Sequence, residues 1–333
     1  MKIAAIDIGT NSTRLLISLA EKSSDSKIRF VPILRAMKIT RLGSGLEQSG
    51  KISATNADLT IEVLKQYQRL LKSHNVSKYR AVGTKVLRQA ENSGEFINRV
   101  SLETGLDVEI ISGILEAGLS FSGAVKGFES DKTLWKAKKI LSRCGKSKNI
   151  LVVDIGGGST EFILGSAEEG TINYLNSVDI GSVILSEKFL PGALPDEKSV
   201  TDLLQFVEDK VKNTVEEIAQ TGFVFMAGLA GTVSSLSAVD LEIGEYDREK
   251  IHGHILYRDR VIAIFKRFCS VDLKTRKKIK GLEPARADII IGGTAILIKI
   301  LEMLGLESLI VSENDILDGI VYSLMPRSGI DLF

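Results

Sequence analysis

One nine-residue pattern occurs twice in this chain. Ala5-Ile6-Asp7-Ile8-Gly9-Thr10-Asn11-Ser12-Thr13 aligns with Val152-Val153-Asp154-Ile155-Gly156-Gly157-Gly158-Ser159-Thr160 at a constant offset, 154 minus 7 and 160 minus 13 both giving 147. Each copy runs from a short apolar stretch through Asp-x-Gly to Ser-Thr, and on into a second apolar stretch, Leu15 to Leu19 or Phe162 to Leu164. Two apolar runs joined by a glycine-bearing turn read as a β-hairpin. Recurrence at one fixed offset points to a duplicated domain rather than two chance turns.

The remaining residues support two similarly ordered halves. In the first, Ile28 to Ile39, Tyr79 to Thr84 and Val108 to Ile111 read as strands. Leu59, Val63, Leu64, Tyr67, Leu70 and Leu71 fall on one helical face, and a helix begins at Leu115. In the second, Thr171 to Val178 follows the hairpin as a third strand, and Val200, Leu203, Leu204, Val207, Val211, Val215 and Ile218 stripe a long helix. Phe223 to Leu229 reads as a buried strand, with helices over Thr232 to Val239, Arg260 to Phe268 and Ala287 to Leu304. Mixed elements of this kind predict an α/β protein of two lobes with a cleft between them. The expected domains are residues 1–125 and 126–333, with the last helix free to pack back on the first.

Charge excludes some classes of function. Lys plus Arg number 43 and Asp plus Glu 42, so the chain as a whole is neither a basic nucleic-acid binder nor an acidic tail. Met1 to Ile6 reaches Asp7 too soon for a secretory leader, and the run Ile289 to Ile298 is broken by two glycines and closed by Lys299. That run falls short of the roughly 18 residues a membrane span requires. The expectation is a cytoplasmic protein with no membrane and no nucleic acid among its partners. Cys144 and Cys269 have no motif spacing and are read as ordinary small side chains.

An aspartate that ends a buried strand just before glycine puts a carboxylate beside backbone that can approach a ligand closely. Gly156, Gly157 and Gly158 can converge their N–H groups on an anion, and Ser159 and Thr160 add hydroxyls. Asn11 and Ser12 stand at the same places in the other copy. Two such loops, each with an Asp able to hold Mg²⁺ through waters, would suit a chain of phosphates.

Several further segments carry a resemblance. They are Ile6 to Leu15, Arg41-Leu42-Gly43-Ser44-Gly45-Leu46, Val82 to Asn92, Ile111-Ser112-Gly113-Ile114-Leu115-Glu116-Ala117, Asp154 to Glu161, and Gly228-Leu229-Ala230-Gly231-Thr232. Together they make the chain resemble the Ppx/GppA phosphatases, the exopolyphosphatase and guanosine pentaphosphate phosphohydrolase family, in its short two-domain form. Beyond that family it resembles the actin-like ATPase and sugar-kinase superfamily.

The resemblance implies two ribonuclease H-like domains and removal of terminal orthophosphate from polyphosphate with Mg²⁺ as cofactor. Its near alternative is hydrolysis of guanosine pentaphosphate at the 5′ end. More distant ones are an ATPase or kinase of the same scaffold, and a polyphosphate or alarmone sensor without catalysis. The family's catalytic carboxylate falls on Glu116; Asp154 and Glu161, with Asp7, would surround the metal and the attacking water. Arg14, Arg88 and Arg286 would hold phosphate oxygens, and a homodimer is expected by family analogy. Taken alone, Glu116 reads equally as an acid in the first turn of a helix, and Arg14 and Arg88 as surface charges. Departures are Leu115 before Glu116, Ile184 in Gly181-Ser182-Val183-Ile184-Leu185, and Asn314 to Gly319 near the C-terminus, two of which remove a basic position.

Two other patterns fail. Gly145-Lys146-Ser147 resembles the end of a P-loop, but the required earlier glycine is Ile140. His252-Gly253-His254 lacks further nearby ligands and reads as a loop. Basic clusters over Lys126 to Lys148 and Lys266 to Lys280 would guide a polyanion or simply form solvated helix faces.

Overall fold

A computed structural model of the chain describes residues 1–22, 28–130, 149–166, 171–192 and 194–325. The chain divides into two compact units, one of Met1–Gly123 with the stretch from Asp315 onward, the other of Ala124–Asn314. The first division falls inside the Gly113–Ser130 helix, and the second just before the Ile316–Ser323 helix.

The first unit is built on β1 (Lys2–Ile8), β2 (Ser12–Lys22), β3 (Ile28–Ile39), β4 (Lys78–Gly83) and β5 (Val108–Ile110). Their order in the sheet is β3-β2-β1-β4-β5, with β1, β4 and β5 parallel, β2 antiparallel to β1, and β3 antiparallel to β2. Helices cover both faces, which is why β1 is a continuous apolar run rather than an alternating one. Ala4, Ile6 and Ile8 pack with Ile61, Leu64, Tyr67 and Leu71 of the Ala54–Ser73 helix. Ile3 and Ala5 pack on the opposite face with Leu119, Ile316, Leu317 and Ile320. Asp7 continues this second alternation and so points to the face carrying the Ile316–Ser323 helix.

The Ala54–Ser73 helix starts where Ser53 accepts a hydrogen bond from Asn56 N. Its buried stripe includes Ile61 rather than Leu59, which is 47% exposed. Tyr67 from this stripe donates its hydroxyl to Thr13 O at 2.8 Å, fastening the helix to the base of the first hairpin.

In the second unit β6 (Asn149–Ile155), β7 (Thr160–Ser166), β8 (Thr171–Val178), β9 (Phe225–Leu229), β10 (Ile255–Tyr257) and β11 (Ser308–Val311) are ordered β10-β11-β9-β6-β7-β8. Without the antiparallel edge strand β10, this is the first sheet's order again. The register repeats as well. Asp7 lies opposite Val82 and Asp154 opposite Leu229, and both pairs differ by 147. The core is filled from the Glu197–Thr221 helix by Leu203, Val207, Val211, Val215 and Ile218, as the periodicity predicts, and from the Ile290–Met303 helix. The strands β10 and β11 are absent from the sequence reading because runs of three and four residues carry no periodicity of their own.

Candidate active site

The two hairpin turns are closed by the same bond: Gly9 N donates to Ser12 O at 3.0 Å, and Gly156 N to Ser159 O at 2.9 Å. Each is also braced by the segment that leaves the third strand. In the first unit Thr40 N and Arg41 N donate to Asn11 O, and Gly43 N donates to Thr10 O. In the second, Ser182 N donates to Gly156 O and Val183 N to Gly157 O, at the start of the Ser182–Phe189 helix. Gly43 and Gly181 permit this closeness, since a Cβ would lie 2.4 Å from Thr10 Cγ2 and 2.3 Å from Gly157 O respectively. Residues 40–43 and 181–183 owe this bracing role to tertiary packing, which local sequence does not signal.

Register sets what faces what. In the first hairpin Asp7 is opposite Arg14; in the second Asp154 is opposite Glu161. Arg14 donates Nε and Nη2 to Asp7 Oδ2, at 2.8 and 2.6 Å. The other oxygen, Asp7 Oδ1, is buried without a hydrogen-bond partner, and so are both amide atoms of Asn11. Burial raises the Asp7 pKa above the ordinary carboxylate value; the Arg14 charge and hydrogen bond oppose the rise, and Asp315 adds to it. In the second hairpin Glu161 is 2% exposed and accepts a hydrogen bond from Ser177 Oγ at 2.9 Å, and Asp154 is 9% exposed. Thr160 is fully buried and donates its hydroxyl to Ile180 O, which makes it a brace of the turn in this geometry.

Glu116 sits in the first turn of the Gly113–Ser130 helix, where its N–H bonds Ser112 O and the Ser112 hydroxyl accepts from Leu115 N. Its Oε2 takes a 2.7 Å hydrogen bond from Arg88 Nη1, which also donates to Ile111 O. The structure thus joins Arg88 to Glu116 within the first unit. Arg286, in the second, lies over Gly231, where a Cβ would come within 2.0 Å of its Nη1. Its Nε donates to Glu283.

Residues beyond the sequence-predicted set complete the first unit's polar face. Arg14 Nη1 also donates to Asp315 Oδ2 at 2.5 Å, Arg35 Nη1 lies 3.5 Å from Asp315 Oδ1, and Arg35 Nη2 donates to Asp318 Oδ2 at 2.6 Å. Nothing in a single sequence signals a strand arginine meeting an aspartate 283 residues later. His252 Nδ1 accepts from Glu313 N and His254 pairs with Asp240, so both histidines have structural partners. Of the second basic cluster, Arg276 is buried and donates to Phe268, Val271 and Ala287 carbonyls, which removes it from any guiding surface. Gly145-Lys146-Ser147, Cys144 and all of the first cluster after Lys126 except Glu129 lie outside the described residues. Burial pushes the Cys269 thiol up to about 11, an inert setting. Among the described residues no helix is long and apolar enough to cross a membrane.

Two α/β sheets of one repeated order, each presenting an acid-bearing glycine turn, define a duplicated ribonuclease H-like protein of the actin-like ATPase fold. The chain belongs to the Ppx/GppA phosphatase family, whose model matches residues 18–328, and is accordingly a hydrolase acting on phosphoanhydride bonds. It is 33% identical to exopolyphosphatase 2 of Mycobacterium tuberculosis across 97% of this chain and 98% of that protein. It is also 33% identical to a bifunctional 3-dehydroquinate synthase/phosphatase of Fusobacterium nucleatum, covering 96% of this chain and 46% of that longer protein, so it spans about half of that relative. Among solved structures, the Aquifex aeolicus PPX-GPPA enzyme matches with TM-score 0.75 and 30% identity over 97% of this chain and 99% of that one. An exopolyphosphatase of Cytophaga hutchinsonii shares the fold at TM-score 0.82 and 24% identity, over 97% of each chain.

Proposed function

We propose that this protein is an exopolyphosphatase that releases terminal orthophosphate from inorganic polyphosphate by attack of water. The observation that carries the reading is the matched pair of hairpins, with one turn closure and one register but Asp7 with Arg14 in the first and Asp154 with Glu161 in the second. Full-length similarity to an exopolyphosphatase supports it.

Phosphoryl transfer asks a protein mainly for charge neutralisation, alignment and a positioned water. In this reading the glycine turns bind phosphate oxygens. The Gly156–Gly158 backbone, Ser159 and Arg286 supply the donors in the second unit, and Asn11, Ser12 and Arg88 those in the first. Glu116, steadied by Arg88, takes the proton from the water as its oxygen attacks the terminal phosphorus and the bridging P–O bond breaks. The shortened chain leaves with the bridging oxygen.

The carboxylates fit Mg²⁺, a hard cation that prefers oxygen ligands. The buried, partnerless Asp7 Oδ1 is the specific observation behind that fit in the first unit, and the opposed acids Asp154 and Glu161 are the candidates in the second. Among the described residues no three His, Cys, Asp or Glu side chains gather closely enough to hold a metal by themselves, so the acids would act together with phosphate oxygens and water. Bound Mg²⁺ would neutralise charge on the phosphates.

The test is phosphate release from long polyphosphate, tripolyphosphate, guanosine pentaphosphate and ATP side by side, with and without Mg²⁺. Fastest Mg²⁺-dependent release from long polyphosphate is expected. Preference for guanosine pentaphosphate would transfer the assignment to that substrate, and no release from polyphosphate would end it.

A further inference from the structure

We infer that Arg35 and Asp315 regulate the cation affinity of Asp7 through Arg14, by dividing charge along a chain of alternating sign. The inference rests on the reading of Asp7 as a cation ligand. The chain is Asp7–Arg14–Asp315–Arg35–Asp318, with contacts of 2.6, 2.5, 3.5 and 2.6 Å. Every side chain in it is at most 23% exposed, so water screens these charges weakly.

Arg14 is the shared member. Its Nε and Nη2 hold Asp7 Oδ2, while its Nη1 holds Asp315 Oδ2. That planar fork fixes the Asp7 carboxylate and leaves Oδ1 as the buried oxygen without a partner. How much positive charge Asp7 feels depends on how firmly Asp315 claims the same guanidinium. Asp315 is in turn shared with Arg35, which Asp318 holds from the other side. Arg35 and Asp315 are therefore positioning residues for the candidate site.

Alternating sharing predicts effects of opposite sign. Asp315→Asn keeps the cap on Leu317 N, since Asn is as good an N-cap as Asp. It removes the charge competing for Arg14, so Arg14 settles on Asp7 and cation binding weakens. Arg35→Met leaves Asp315 to draw Arg14 away from Asp7, so cation binding strengthens. A merely structural role would weaken binding in both variants.

The experiment titrates Mn²⁺, an oxygen-preferring and spectroscopically visible stand-in for Mg²⁺, into the full chain without substrate, reading free Mn²⁺ by electron paramagnetic resonance. Asp7→Asn defines the background. Asp315→Asn should raise the Mn²⁺ Kd by about tenfold, the size typical of a partner behind a metal ligand. Arg35→Met should lower it, and Arg35→Lys should restore the wild-type value. KM for tripolyphosphate should stay unchanged in the Asp315 and Arg35 variants, because neither residue is read as touching substrate. Weaker binding in both variants, no change in either, or no Asp7-dependent Mn²⁺ binding in the wild type would overturn the inference. If the opposite-sign pattern holds while polyphosphate is not hydrolysed, the charge chain stands and the assigned reaction falls.

Discussion

Asp154 and Glu161 face each other across β6 and β7 at the register position that Asp7 and Arg14 occupy across β1 and β2. Directly opposed like charges destabilise an antiparallel pair. The duplication thus keeps an ion pair in one copy and places two acids at the same register position in the other.

Glu161→Gln tests what the second acid contributes. The amide oxygen can still accept from Ser177 Oγ, while one of two opposed charges is removed. The melting temperature should hold or rise, and Mg²⁺-dependent phosphate release should fall about 10²-fold or more. Thermal unfolding and a phosphate-release assay on the same sample check both halves.

Glu116→Gln should lower kcat by about 10²-fold or more with little change in KM, the usual size for a positioned acid or base. Steady-state kinetics on tripolyphosphate give both constants. A rise in KM at unchanged kcat would move Glu116 from proton transfer to substrate binding.

Asp7→Asn should abolish phosphate release and stabilise the fold at neutral pH. Burial raises the pKa of Asp7 above its unfolded value, so the native state holds this proton more tightly than the unfolded chain does. The resulting stabilisation is full below the unfolded pKa and is lost as pH rises through the raised one. The variant's advantage should therefore be present at neutral pH and shrink on acidification. Denaturant midpoints of both proteins along a pH series measure it.

Gly181→Ala should disturb the glycine turn from behind. Its Cβ would fall 2.3 Å from Gly157 O and 2.5 Å from Gly158 N, which are backbone atoms with little room to move. A cost of about 1–3 kcal/mol is typical of such overpacking, and activity should drop with it. Gly94→Ala is the contrast. Nothing lies within 4 Å of that Cβ, and the site is inside the Ser93–Thr104 helix, so a small gain is expected. Urea unfolding of the two variants separates the steric effect from loss of glycine as such.

The features legible in the sequence were those whose signal is local. The 147-residue offset predicted a shared hairpin, and the structure extends the same offset to the parallel strands, pairing Asp7 with Val82 and Asp154 with Leu229. The stripe from Leu203 to Ile218 became one face of the Glu197–Thr221 helix because 3.6-residue periodicity needs no partner to be seen. Leu59 lies on the Ala54–Ser73 helix but outside its buried stripe, since a single exposed leucine looks identical to a buried one until its neighbours are known.

Chain order alone thus determined the doubled α/β pattern, the acid-bearing turns and the family to which they belong, because period, turn chemistry and motif spacing are properties of neighbouring residues. Only the tertiary structure decided that Arg14 is divided between Asp7 and Asp315, that Arg35 and Asp318 stand behind them, and that Thr160 braces its turn. These depend on strand register and on helix packing across hundreds of residues. Charges in a weakly screened interior act on whatever lies within a few ångströms, wherever it falls in the sequence.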